Sequence, residues 1–320
     1  MNTNPEAQQA VDVATVTLNP AIDQTVIVPD FAAGKVNRVQ QSESHPGGKG
    51  VNVAHILSDY GRSVVVSGFL GRENAGLFED LFAAKRMQDC FVRIAGQTRV
   101  GIKIVDPVQQ QTTDINFPGQ PPAPADVDAL FDCLEMVDAA WFVLAGSIPP
   151  GVEPTIYRDL VRALKMQERQ VALDASGEAL VQALAAGPDV VKPNIYELES
   201  VVGERLRARP AIVAAARSLL GRGIRLVAVS MGSEGSIFVS ERGVVVARPP
   251  SVEVKSTVGA GDAMVAGIVA AQIAGAPLEH CASLATAFSL DAISHIGSGL
   301  SSVASVETFM ERVTVSEDWR

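Results

Sequence analysis

Ser256-Thr257-Val258-Gly259-Ala260-Gly261-Asp262 leads without a break into Ala263–Ala274, a stretch apolar on every side. A helix tolerates that composition only when it is buried all round, so this one must lie near the centre of the fold. The two glycines permit a tight turn that aims several backbone N–H groups at one point, and the helix N-terminus adds partial positive charge there. One reading is an anion hole. The other is a simple N-cap, with Asp262 satisfying the first turn's own amides. Capping, however, needs neither paired glycines nor a carboxylate inside the core. A carboxylate beside a phosphate pocket suits a base that takes a proton from an attacking hydroxyl.

Outward from this helix, short apolar runs bounded by turn residues recur at Val13–Leu18, Val64–Leu70, Trp141–Ala145, Val171–Asp174, Val190–Lys192 and Leu226–Ser230. Segments with helical spacing lie between most of them: Val51–Tyr60, Ala75–Lys85, Ala125–Met136, Pro154–Gln167 and Ala211–Gly221. The alternation predicts an α/β fold of βαβ units, with a central, mostly parallel sheet and helices on both faces. Ser236–Ser240 and Val244–Ala247 read as a further strand pair, turned at Glu241–Gly243. Two places in the N-terminal third break the pattern. Thr25–Val28 and Val36–Ser44 have β-branched or alternating character, and Phe91–Val105 with Thr112–Phe117 reads as another pair turned at Asp106–Gln110. They predict a small β-sheet lid, from about 22–45 and 91–118, on one domain spanning 11–320, with Gly119–Pro124 as the return to the main body.

The chain has 320 residues, 47% hydrophobic and 19% charged, which supports a large core and excludes disorder. A formal charge of −10 disfavours a nucleic-acid backbone or an anionic membrane as partner, so any anionic ligand must be met by a local cluster. Cys90, Cys133 and Cys281 are too few and too scattered for a disulfide framework and make no C-x-x-C pair, which fits a reducing cytoplasm. The polar stretch 1–10 lacks the basic-then-apolar order of a signal peptide and reads as a disordered tail. The uncharged stretch between Asp262 and Glu279 falls short of the roughly 20 apolar residues that a membrane span needs.

Three further motifs carry chemistry. Pro46-Gly47-Gly48-Lys49-Gly50-Val51-Asn52 opens a helix, but Gly50 stands where a Walker motif has Ser or Thr, and no dinucleotide fingerprint is present. Its glycines could form a plain turn; with the lysine and asparagine they also suit close approach of a small polyol. In Lys192-Pro193-Asn194-Ile195-Tyr196-Glu197, Asn194 and Glu197 have the spacing of a capping box. They also fall near strand carboxyl ends, where open α/β sheets bind ligands, and could hold Mg²⁺ or its waters. Asp23 follows the first strand, as a turn carboxylate or an acceptor for sugar hydroxyls. Arg99 lies on a presumed lid strand, where an exposed edge charge is the plainer explanation. The four histidines show no ligand spacing.

In this order, the motifs resemble the ribokinase/pfkB family of sugar kinases over nearly the whole chain. Thr17-Leu18-Asn19-Pro20-Ala21-Ile22-Asp23, Val36-Asn37-Arg38, Gly47–Ala54 and Asp114-Ile115-Asn116-Phe117-Pro118-Gly119 look most like the members that act on fructose 1-phosphate. The resemblance implies a ribokinase-like three-layer sandwich whose lid contributes to a homodimer. It also implies ATP- and Mg²⁺-dependent phosphorylation of the 6-hydroxyl of fructose 1-phosphate. Asp262 would be the catalytic base, and Gly259, Ala260 and Gly261 would hold the migrating phosphoryl group. Asp23, Gly48 and Asn52 match positions that bind sugar hydroxyls, while Lys49 and Arg99 match basic residues facing the substrate's own phosphate. Lys192, Asn194 and Glu197 match the family's Asn-x-x-Glu segment for Mg²⁺ and phosphate, and Ser230, Gly232 and Gly235 match the strand and turn bordering the nucleotide. Two positions depart from the family pattern: Gly101 stands where asparagine is usual, and Ala263 where serine is common. Tagatose 6-phosphate or fructose 6-phosphate is the alternative substrate, and a non-catalytic sugar-phosphate or nucleotide sensor is the alternative class.

Overall fold

The computed structural model describes residues 11–295 and 297–318, so the expected tail at 1–10 lies outside the described residues. The chain begins with β1 (Val11–Thr17), β2 (Ala21–Ile27), β3 (Gln41–Gly47), α1 (Lys49–Asp59), β4 (Val64–Gly71), α2 (Gly76–Ala84) and β5 (Gln88–Ile94). There follow β6 (Arg99–Asp106), β7 (Gln111–Asn116), α3 (Pro124–Met136), β8 (Ala139–Ala145), α4 (Ile156–Met166), β9 (Gln170–Asp174) and α5 (Gly177–Leu184). The remainder is β10 (Val190–Val191), α6 (Ile195–Val202), α7 (Arg209–Leu220), β11 (Leu226–Ser230), β12 (Ser236–Ser240), β13 (Gly243–Arg248), α8 (Ala260–Ile273), α9 (Leu278–Ser294), α10 (Val303–Arg312) and β14 (Thr314–Ser316).

Strands apolar at successive positions must bury both faces. They do so in a ten-stranded sheet of order β14-β13-β12-β11-β10-β9-β8-β1-β4-β5, parallel from β11 to β5 and antiparallel from β11 to β14. Alternation divides the core. Phe142 and Leu144 join α3, α4, α5, α6 and α7 on one face, while Trp141 and Val143 join α1, α2, α8, α9 and α10 on the other. The result is the expected three-layer sandwich. From Asp262 to Ala271 every residue of α8 is buried, as its uniform apolar character requires, and the helix packs between α1 and α9.

A second sheet has the order β3-β2-β6-β7, with β2 and β6 parallel and both outer pairs antiparallel. Val26, Val28 and Ile104 form its own small apolar cluster with Phe31 and Ile102. Its outer strands are mostly exposed.

The sequence placed Phe91–Ile94 in this small sheet, and the structure does not. β5 pairs in parallel with β4 at the edge of the main sheet, because Phe91 stacks on Phe82 with ring centroids 5.6 Å apart and Ile94 enters the core. The chain crosses to the small sheet only after Gly96, resuming at Arg99. The strand expected at Val36–Ser44 likewise starts only at Gln41, with Val36 and Val39 exposed.

Candidate active site

The strand order reverses direction at β1, since β4 and β5 lie on one side and β8 to β11 on the other. Open α/β sheets bind ligands outside the carboxyl ends of their strands at such a switch point. Thr17, Asp174, Lys192 and Ser230 all stand at or just beyond those ends.

Gly259 takes φ 80, a left-handed conformation natural to glycine, and α8 begins at the next residue. Asp262 therefore sits in the helix's first turn, and its side chain makes no capping bond to the preceding turn. Its Oδ2 instead accepts a 2.8 Å hydrogen bond from Nδ2 of Asn52, on α1. The plain N-cap reading is thereby displaced. Burial lifts the Asp262 pKa to about 6, with help from nearby Asp174; the Asn52 bond, Lys49 and Lys192 pull the other way. A carboxylate tuned towards neutrality suits proton transfer.

Behind it lies a buried ion cluster. Asp174 is 1% exposed, and its Oδ1 is 3.1 Å from Lys49 Nζ and 3.5 Å from Lys192 Nζ. Lys192 also borders the glycine turn, its Nζ lying 3.5 Å from where a Cβ on Gly261 would stand. For Lys49, burial depresses the pKa, but Asp174, Asp262 and Glu197 together more than reverse this, and the net shift is upward. In the sequence Asp174 is simply the last residue of a strand. Its signal was a carboxylate closing an otherwise apolar run. Thr17 opens the first of the family-like motifs without a role of its own; its Oγ1 and the Oδ2 of Asp174 are buried without a partner. Orphaned polar atoms at strand ends mark a place where a ligand completes the bonding.

Gly48 caps α1 with φ 114, setting Lys49 and Asn52 on the helix's first turn. Asp23, on β2, lies against Gly47, with Oδ2 filling the space a Cβ there would occupy. Desolvation raises the Asp23 pKa; Arg99, Lys103 and His45 oppose the shift and Asp114 adds to it. Arg99 is not an edge residue, since β6 runs between β2 and β7. Its guanidinium donates to the carbonyls of Asn19 and Phe117, at 3.2 to 3.3 Å. The residue thus bridges the β1–β2 turn and the end of β7. Gly101 pairs with Asp23 on one side and Asn116 on the other; a Cβ there would lie 3.1 Å from Asp23 Oδ1 and 3.4 Å from Asn116 Oδ1.

Asn194 and Glu197 form the capping box in full: Glu197 N donates to Asn194 Oδ1 at 2.9 Å, and Asn194 N to Glu197 Oε2 at 2.8 Å. A bridge joins Asn194 to Ser230, which brings Gly232 (φ 62) and Gly235 (φ 92) beside this turn. Among the described residues, no three His, Cys, Asp or Glu side chains cluster at metal-binding spacing. A cavity of about 400 Å³ lined by Ser251, Val252, Glu253, Lys255, Ser294, Phe309 and Arg312 shares no residue with this set. The convergent polar groups gather instead at the carboxyl ends of the main-sheet strands and the first turns of α1 and α8.

A family model for pfkB family carbohydrate kinases matches residues 16–304. The chain belongs to the pfkB family of carbohydrate kinases. It is 47% identical over 306 residues to the 1-phosphofructokinase of Rhodobacter capsulatus, covering 95% of this chain and 97% of the relative. It is 44% identical over 288 residues to the 1-phosphofructokinase of Xanthomonas campestris, covering 88% and 91%. Among solved structures, Escherichia coli phosphofructokinase-2 in complex with fructose-6-phosphate superimposes with a TM-score of 0.88 at 28% identity, covering 94% of this chain and 98% of that one. As a pfkB kinase, the protein is a phosphotransferase acting on a sugar hydroxyl. Among its described residues, no helix is long and apolar enough to cross a membrane.

Proposed function

We propose that this pfkB kinase transfers the γ-phosphoryl group of ATP to the 6-hydroxyl of fructose 1-phosphate, giving fructose 1,6-bisphosphate and ADP in the cytoplasm. The observation that carries the reading is the buried Asp262 carboxylate, held by Asn52 at 2.8 Å in the first turn of α8, in a chain 47% identical to a 1-phosphofructokinase. One Asp262 oxygen is held by Asn52, and the other takes the proton of the attacking hydroxyl. The backbone of Gly259, Ala260 and Gly261, with Lys192 beside it, meets the charge of the migrating phosphoryl group. Asp23, Gly48 and Asn52 line the sugar, and Lys49 and Arg99 meet its phosphate. Asn194, Ser230, Gly232 and Gly235 border the nucleotide.

Mg²⁺ suits this site, because Asp174 Oδ2 is a buried oxygen with no partner, and Glu197, whose Oε2 accepts the capping bond, has its second carboxylate oxygen outside the box. Asn194 is the weaker ligand, since its oxygen already accepts the capping bond. When bound, such an ion neutralises charge on the nucleotide phosphates, which needs only one or two protein carboxylates. The small sheet acts as the lid. Val36, Val39, Ile115 and Phe117 are exposed on and beside its outer strands, which supports a homodimer through this sheet.

ADP release measured against fructose 1-phosphate, fructose 6-phosphate and tagatose 6-phosphate tests the assignment. The first is expected to give the highest kcat/KM. Gly101 and the fold of the fructose-6-phosphate-bound relative favour fructose 6-phosphate as the second reading, and a clear preference for it overturns the first. ADP release with none of the three indicates the non-catalytic sensor.

A further inference from the structure

The cysteines are far apart in sequence, yet two of them meet. Cys90 lies on β5, the edge strand of the main sheet, and Cys133 lies on α3, which packs over β4 and β5. Cys133 Sγ donates to the Cys90 carbonyl at 3.2 Å, and the Ser67 hydroxyl donates to the same carbonyl at 3.1 Å. Ser67 Oγ is also 3.9 Å from Cys133 Sγ, so Cys133 sits directly against the Cys90 backbone, and both residues pack on the same face of the main sheet. Both cysteines are half-buried, which leaves them open to small solutes, whereas Cys281 is buried. Neither belongs to the cleft described above.

We propose that Cys90 and Cys133 are a redox-sensitive pair that closes to a reversible disulfide when the protein meets a two-electron oxidant of the hydroperoxide class. Cys133 is the attacking sulfur: the hydrogen bond with the Cys90 thiol draws its pKa down to about 7, and Ser67 assists, against burial and Asp89. Its thiolate attacks one peroxide oxygen, the O–O bond breaks, and the departing hydroxide takes up a proton as water, leaving a sulfenic acid on Cys133. The Cys90 sulfur then attacks the Cys133 sulfur; the S–S bond forms, the S–O bond breaks, and the leaving hydroxide takes the Cys90 proton as a second water. Two thiols and one hydroperoxide thus become one disulfide and two waters when the oxidant is hydrogen peroxide. Cys133 Sγ already lies 3.2 Å from the Cys90 carbonyl, which brings the two residues together across the contact of α3 with β5.

The bridge spans 43 residues and encloses the whole excursion from the main sheet through β6 and β7 and back to α3. It would fasten the base of the small sheet covalently, while leaving its strands free to move as a unit.

Hydrogen peroxide treatment of the full chain, followed by intact mass measurement and a non-reducing peptide map, tests the pair. The expected result is a mass loss of about 2 Da, with Cys90 and Cys133 peptides joined, Cys281 still a free thiol, and full reversal by dithiothreitol. C133S is expected to lose the joined peptide, and C90A provides the same control at the other end. The wild-type map stands independently of how either variant folds. Three results would overturn the proposal: unchanged mass with three free thiols, added oxygen on Cys133 without a joined peptide, or a bridge that involves Cys281 or links two chains.

Discussion

Asp262 and Asp174 are both buried, and they differ in what surrounds them. Asp262 has only an amide partner at hydrogen-bond distance, so its charge is disfavoured and its pKa rises to about 6 from a usual value near 3.8. The folded state holds that proton more tightly than the unfolded state, so this group's contribution is fully present below the unfolded value. It is lost as pH rises through the folded value, for a cost of up to about 3 kcal/mol at neutral pH. Asp262→Asn should therefore raise the melting temperature at pH 8 and leave it nearly unchanged at pH 4, while turnover falls by about 10³-fold and ATP binding persists. Wild-type kcat is expected to decline below about pH 6, as the base becomes protonated. Near-normal turnover in the variant would remove Asp262 from the mechanism. Asp174, by contrast, is held between two lysines. Asp174→Asn leaves a nearly buried Lys192 and a partly exposed Lys49 without their carboxylate, and urea unfolding should register a loss of about 3 kcal/mol. An unchanged midpoint would mean that the lysines find other partners.

At the level of elements, α8 is legible in the sequence because its composition admits one environment only. The parallel strands were readable for the same reason, being short, apolar and bounded. Sheet membership was not. β5 and β6 both carry strand-like sequence, and what separates them is the packing of Phe91 against Phe82 and of Ile94 in the core, contacts that local pattern does not encode. The same limit explains Arg99, whose setting in the middle of the small sheet depends on pairings with β2 and β7. The capping box at Asn194 and Glu197 was legible because all its atoms lie within four residues. Asp174 was not singled out, since its lysine partners come from other elements. Across the small sheet, His45, Asp23, Gly101 and Asn116 stand in one row of paired positions. Gly101→Asn would crowd Asp23 and Asn116, and steady-state kinetics should show KM for the sugar phosphate rising about tenfold with KM for ATP unchanged. An unaltered sugar KM would argue that Asp23 does not touch the sugar.

Over the whole molecule, the ten-stranded sheet is a rigid platform and the small sheet has little apolar area of its own. Deuterium exchange into β2, β3, β6 and β7 is expected to slow when sugar phosphate is added, while exchange in β8 and β9 stays the same. Equal protection in both sheets would argue against closure. The contact between Asn52 and Asp262 joins residues 210 positions apart. During synthesis, the strands and helices of the first two hundred residues can form before Asp262 exists in the chain. An emerging polypeptide can therefore acquire much of the sheet and Asn52 on α1 while still lacking Asp262 and the glycine turn before it. The bond between α1 and α8 can form only after residue 262 has left the ribosome, long after its Asn52 half has emerged.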